Sequence, residues 1–133
     1  MRRRSLYLDS SALIKLVFEE EETDALEAFL RDRPICVSSS LARVEVMRAA
    51  RTAGDELVTR HADAVLGAVE LIAPDAALLA DAARLDPLTL RSLDSVHLAT
   101  AVALAADIEG MVVYDRRLAG AARQAGLTVW APS

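Results

Sequence analysis

Short apolar runs alternate with helix-length segments along almost the whole chain, and this alternation limits the fold more than any other feature. The runs are Ser5 to Leu8, Ile35 to Val37, Val69 to Ile72, Met111 to Tyr114 (opened by Gly110) and Thr128 to Trp130. Each is strand-length, apolar and bounded by turn or polar residues. Between them fall segments with helical spacing and helix punctuation. Ser11 to Phe18 predicts a first helix. Glu19 to Glu22 is an acidic run, read as solvated, before a second helix at Thr23 to Arg31 that Arg33-Pro34 ends. Ser38-Ser39-Ser40 offers N-caps to a third helix, Leu41 to Ala53, closed by Gly54. Asp55 to Leu66 predicts a fourth, broken by Gly67. Asp75 caps a fifth, Ala76 to Leu85, with Pro87 behind it. Ser92 to Ala106 is apolar nearly all round and reads as a central, buried helix. Arg116 to Ala125 is the last, stopped by Gly126. Strands alternating with one or two helices along the chain predict an α/β fold with a central, mostly parallel sheet of four to five strands flanked by helices on both faces.

At 133 residues the chain fits a single domain, 1–133. With 53% hydrophobic and 26% charged residues it has the composition of a globular protein. A net charge of −5 argues against binding nucleic acid by bulk positive charge, but leaves room for an enzyme that acts on nucleic acid at a local site. Cys36 is the single cysteine, so no internal disulfide forms, and its apolar neighbours read it as a small core residue. Arg2-Arg3-Arg4 resembles the start of a signal peptide, but Asp9 interrupts the apolar run behind it. No stretch reaches the roughly 18 apolar residues of a membrane span, and a cytoplasmic protein is expected.

Four acids stand out by position. Asp9 and Asp115 each follow an apolar strand and precede a helix, Asp94 lies in the first turn of the buried helix, and Glu45 sits on the mostly apolar side of the third helix. Each has an ordinary structural role open to it: Asp9 and Asp115 as N-caps, Asp94 answering the helix dipole, Glu45 pairing with Arg48 one turn on. Together they point to a site. In a parallel sheet the carboxyl ends of the strands share one edge, so Asp9 and Asp115 share it, and Asp94 starts a helix that can face it. Carboxylates about 4 Å apart repel by roughly 4 kcal/mol per pair at an effective dielectric of 20, which calls for a cation. An all-oxygen cluster suits Mg²⁺ or Mn²⁺ and not zinc. Such ions activate water and stabilise phosphoryl transfer without a Ser or Cys nucleophile. His97, three residues after Asp94, reads either as a packed core histidine or as a general base; His61, on a surface helix, carries no signal.

LYLDSSALIKL, SSSLARVEVMRA, LRSLDSVHLATA and VVYDRRLAGAARQAGL, in this order, resemble the successive motifs of the PIN domain, most nearly those of VapC-type toxins of bacterial toxin–antitoxin pairs. The resemblance runs from Leu6 to Pro132, and the order of the motifs is more specific than any one of them. It implies a PIN-like three-layer fold and a metal-dependent endoribonuclease. It implies that Asp9, Glu45, Asp94 and Asp115 are the catalytic acids, ligands of Mg²⁺ or Mn²⁺ and of the attacking water, with Ser10, Ser11 and His97 supporting them. It further implies a homodimer and a VapB-type antitoxin whose tail enters the acidic groove. Many relatives carry Thr or Ser two residues before the fourth acid where this chain has Val113, which weakens the case for Asp115 as a direct ligand. Arg91, Arg116 and Arg117, close to the acidic motifs, and Lys15 are candidates to hold the RNA backbone.

Competing readings are less well matched. A haloacid-dehalogenase-like phosphotransferase wants a second acid two residues after the first, where Ser11 stands. A response-regulator receiver wants an acidic pair before its Asp and a Lys near the last strand, and Lys15 is the only lysine. A catalytically inactive PIN-like binding module, or a housekeeping PIN nuclease without an antitoxin, remain as alternatives.

Overall fold

The structure is a computed structural model and describes residues 5–33 and 35–133. The Arg2-Arg3-Arg4 reading and the helix stop at Pro34 lie outside the described residues. The elements run β1 (Ser5–Leu8), α1 (Ser10–Val17), α2 (Thr23–Arg31), β2 (Cys36–Ser39), α3 (Leu41–Arg51), α4 (Glu56–Gly67), β3 (Glu70–Ile72), α5 (Ala76–Ala83), α6 (Ser92–Ala103), β4 (Ile108–Val112), α7 (Arg116–Gln124) and β5 (Val129–Trp130). The strands form one five-stranded sheet in the order β3-β2-β1-β4-β5. Every pairing in it is parallel.

β1 is the central strand, which explains why its apolar run does not alternate with polar residues: Leu6, Tyr7 and Leu8 are all fully buried. The two-residue period of a strand sends these side chains to opposite faces. Leu6 and Leu8 join Ala12, Leu13, Leu26, Val46 and Leu66 on one side of the sheet. Tyr7 joins Val37, Leu98, Met111 and Leu118 on the other. Helices therefore cover both faces, as a parallel sheet requires.

The chain leaves β1 toward β2 and β3 on one side, then returns to lay β4 and β5 on the other. The order reverses between β1 and β4, and the carboxyl ends of those two strands flank the crevice where open α/β sheets hold their ligands. β1 and β4 are in register there, Leu8 opposite Val112, so the residues that follow them start side by side.

The observed boundaries differ from the sequence expectation in instructive ways. β4 begins at Ile108, not Met111, because Ile108 is buried and Ser5 pairs with it. The strand stops before Tyr114, whose backbone N–H donates to Ser11 Oγ at 3.0 Å instead of to the sheet. Ser38 and Ser39 belong to β2 and are fully buried, and Ser39 Oγ still accepts from Leu41 N at 3.3 Å at the start of α3. Gly110 is obligatory: a Cβ there would lie 2.5 Å from Thr128 O and 2.6 Å from Trp130 Cζ3, so only glycine lets β5 close on β4. Among the described residues no helix is long and apolar enough to cross a membrane.

Candidate active site

At the end of β1, Asp9 caps α1. Its Oδ1 accepts hydrogen bonds from Ser11 Oγ at 2.6 Å and from Ala12 N at 3.1 Å. Asp115 does the same after β4, its Oδ1 accepting from Leu118 N at 2.9 Å. The capping roles expected of both acids are therefore real, and each uses one oxygen only. Asp9 Oδ2 makes no hydrogen bond among the described residues, and Asp115 Oδ2 accepts from Arg91 Nη2 at 3.3 Å. Ser11 links the two strand ends, donating to Asp9 and accepting from Tyr114 N.

Asp94 stands in the first turn of α6, where the helix dipole favours an acid, and is buried. Arg91, just before that helix, donates Nε to Asp94 Oδ2 at 3.1 Å while its other end reaches Asp115. Glu45 extends from α3 into the same crevice. Its partner is not Arg48, as helical spacing suggested, but two residues from other elements. Ser10 Oγ donates to its Oε2 at 2.9 Å, and His97 Nε2 lies 2.8 Å from its Oε1. His97 is fully buried behind Glu45, with Tyr7 Oη 2.7 Å from its Nδ1. Asp9, Ser10, Ser11, Glu45, Arg91, Asp94 and Asp115 line one open cleft of about 390 Å³.

The electrostatics follow from this packing. Burial pushes the Asp9 carboxyl up to about 6, with Asp94 adding to the rise and the Ser11 and Ala12 donors opposing it. Burial also acts to raise Glu45, but its hydrogen bonds to His97 and Ser10, with Arg91 beside it, outweigh that and hold Glu45 below its ordinary range. Arg91 is held more firmly protonated, first by its hydrogen bond to Asp94 and then by the charges of Asp94 and Asp115.

The donor set fits a hard divalent cation: the cleft is lined by four carboxylates and no cysteine, and its most buried acid, Asp9, keeps one oxygen without a hydrogen bond. The side chains are not gathered into a ligand cage as they stand. Among the described residues no three His, Cys, Asp or Glu side chains are close enough together to hold an ion. The Arg91 guanidinium supplies positive charge between Asp94 and Asp115 instead.

The other candidates lie elsewhere. Arg116 and Arg117 are exposed and do not line the cleft. Lys15 is engaged by Glu20 and Glu22, each at 2.7 Å, and lies over the Tyr114 ring, so part of the acidic run read as solvated in fact holds this lysine. Val113 is buried in the apolar layer with Leu98 and Leu118 and does not line the cleft. Tyr7 escaped the sequence reading. Its one signal was a hydroxyl in the middle of a central strand, which needs a buried partner.

The match to the PIN-domain family model spans residues 6–124, and the chain belongs to that family. Within it the chain is of the VapC type. It is 44% identical over 129 residues to Ribonuclease VapC46 of Mycobacterium tuberculosis, covering 97% of this chain and 98% of that protein. It is 39% identical over 131 residues to Ribonuclease VapC35 of the same species, covering 96% of both. Among solved structures, the fold is similar to M. tuberculosis VapC20, described as a toxin that cleaves the sarcin-ricin loop, with a TM-score of 0.72 over 93% of this chain and 97% of that one at 17% identity. It is also similar to a chain of a toxin–antitoxin complex from Klebsiella pneumoniae, with a TM-score of 0.64 over 84% of this chain and 87% of that one at 23% identity.

Proposed function

We propose that this chain is the toxin of a VapBC-type pair, an endoribonuclease that hydrolyses phosphodiester bonds in RNA with Mg²⁺ or Mn²⁺. The observation that carries the reading is that Asp9, Glu45, Asp94 and Asp115, from four separate segments, line one cleft at the reversal point of the sheet. Asp9, Asp94 and Asp115 are the residues that would hold the ion, Asp9 through its unengaged oxygen. A bound Mg²⁺ or Mn²⁺ supplies Lewis-acid stabilisation of the phosphoryl oxygens. Glu45, kept ionised by its neighbours, orients the attacking water and accepts its proton. Ser10 and His97 hold the Glu45 carboxylate, and Ser11 holds Asp9. Arg91, with an exposed guanidinium at the cleft, is suited to grip a phosphate of the bound RNA.

The acidic cleft also supports a protein partner. A VapB-type antitoxin with a basic segment would cover the carboxylates and block the RNA, and a homodimer is the expected state of the free toxin. The test of the function is cleavage of RNA by the purified chain with Mg²⁺ or Mn²⁺, with excess chelator, and with Asp9→Asn or Asp94→Asn. Cleavage is expected only for the metal-supplied wild-type protein. Cleavage that persists in chelator removes the metal from the reading. No cleavage under any condition leaves a binding module. A small DNA-binding protein encoded immediately upstream, forming a complex that suppresses cleavage, supports the toxin assignment over a housekeeping nuclease.

A further inference from the structure

Behind Glu45, hydrogen bonds join four side chains from β1, α6, α3 and α1. Tyr7 Oη is 2.7 Å from His97 Nδ1, His97 Nε2 is 2.8 Å from Glu45 Oε1, and Ser10 Oγ donates to Glu45 Oε2 at 2.9 Å. Tyr7 and His97 are both fully buried, with their rings edge to face at 5.8 Å. A neutral imidazole has one nitrogen that donates and one that accepts, and the partner of each decides which is which. The ionised Glu45 carboxylate can only accept, so the proton facing it sits on His97 Nε2. With the ring neutral, Nδ1 is bare and the Tyr7 hydroxyl donates to it. The surroundings of Tyr7 agree. Among the described residues, the hydrogen bond to His97 is the one the Tyr7 hydroxyl makes, since Thr100 Oγ1 donates to Val96 O at 2.7 Å and Ser38 Oγ makes none.

Packing alone does not account for the hydroxyl. Phenylalanine would fill the same space between Met111 and Leu98 without a polar group to satisfy. We propose that Tyr7 is a positioning residue that donates to His97 Nδ1 and so fixes the imidazole tautomer that holds Glu45 in the cleft. The proposal rests on Glu45 being one of the catalytic acids, and the experiment separates the two.

The full chain labelled with ¹⁵N is examined without metal, where the two-bond ¹H–¹⁵N spectrum of His97 shows which ring nitrogen carries the proton. The expected result is a proton on Nε2 and a bare Nδ1, with Tyr7→Phe producing a mixture of tautomers. Tyr7→Phe is also expected to lower kcat for RNA cleavage by about ten- to a hundredfold, the usual effect of losing such a support, with KM unchanged. His97→Gln keeps a donor toward Glu45 and needs nothing from Tyr7, so adding Tyr7→Phe to it should cost no further activity. A wild-type proton on Nδ1, a doubly protonated ring, or a Tyr7→Phe protein with an unchanged spectrum and kcat overturns the proposal. The expected spectra together with full activity of Glu45→Gln would support the Tyr7–His97 link and overturn instead the assignment of Glu45 to catalysis.

Discussion

Arg91 donates its Nε hydrogen to Asp94 Oδ2 across 3.1 Å, so the first turn of α6 carries its own counter-ion. The same guanidinium reaches Asp115 Oδ2 at 3.3 Å, the two contacts spanning the acids on either side of the cleft. On the proposed metal-dependent reading, Arg91 competes with the cation for Asp94 and Asp115. Its side chain is 73% exposed, so displacing it is cheap and the freed guanidinium stays at the mouth of the cleft for a phosphate.

Arg91→Ala should bind Mn²⁺ more tightly and RNA more weakly. An exposed pair of this kind is worth up to about 1 kcal/mol, so the gain in metal affinity should not exceed about fivefold and should shrink with added salt. Calorimetric titration of the metal-free chain measures the first effect, and KM for cleavage the second. Weaker Mn²⁺ binding by the variant would show that Arg91 supports the ion site instead of competing for it.

Asp9→Asn should stabilise the metal-free protein while abolishing cleavage. The folded-state value of Asp9 is raised to about 6 from an ordinary 3.8, so the native state binds this proton more tightly than the unfolded chain does. The stability from Asp9 is complete below its ordinary value and is lost as pH rises through about 6. At pH 7 the buried charge costs on the order of 3 kcal/mol. Asparagine mimics the protonated form and can still accept from Ser11 and Ala12. Urea unfolding in chelator should show the variant ahead of wild type at pH 7, with the gap closing by about pH 4. A variant less stable than wild type at pH 7 would contradict the burial argument.

The same acid shows how far the sequence could be read. Its cap geometry and its neighbours in the motif order were legible, because both are local or depend on strand direction. What Glu45 touches was not. Helical spacing pointed to Arg48, three residues away, whereas the partner is His97, 52 residues on. The start of β4 was hidden for a similar reason. Ile108 sits among Asp107, Glu109 and Gly110, which read locally as a loop, and only pairing with Ser5 makes it a strand. The end of β4 is set by Ser11, 103 residues away, which takes the Tyr114 N–H from the sheet. Alternation along a chain reveals which elements exist; contacts between distant elements set where they stop and how the acids are held.

Ser11→Ala should damage both the fold and the acid it holds. The Tyr114 N–H would lose its acceptor in a partly buried position, at a cost of about 1–3 kcal/mol. Asp9 would lose its 2.6 Å donor, the largest of the influences that oppose burial, so its carboxyl should rise above about 6. In the metal-free chain an NMR titration of the Asp9 carboxyl should therefore show its midpoint at higher pH in the variant. Ser11→Thr, which retains the hydroxyl, should restore the wild-type midpoint. A midpoint that stays in place in Ser11→Ala would show that the Ser11 donor does not set the Asp9 titration.

Gly110→Ala should cost more than a single added methyl usually does. The new Cβ would meet Thr128 O at 2.5 Å, and that oxygen is backbone already accepting from Met111 N at 2.8 Å. It would also meet Trp130 Cζ3 at 2.6 Å, on a ring packed against Phe29. Neither contact can relax without moving β5 away from β4. Overpacking of this kind costs about 1–3 kcal/mol, and loss of the two-residue strand pairing adds to it. The acids follow β1 and β4 or sit on α3 and α6, and none is on β5, so the cleft should survive in the fraction that folds. Thermal unfolding should therefore show a large loss of stability, and hydrogen exchange should show deprotected Met111 and Val113 amides, which both donate to the β5 segment. Activity per folded molecule should stay within a few-fold of wild type, since one methyl on the outer flank of β4 leaves Asp9, Glu45, Asp94 and Asp115 where they are. A collapse of activity in the folded fraction would instead mean that the register of β4 against β1, and with it the spacing of Asp9 and Asp115, depends on β5 closing the sheet.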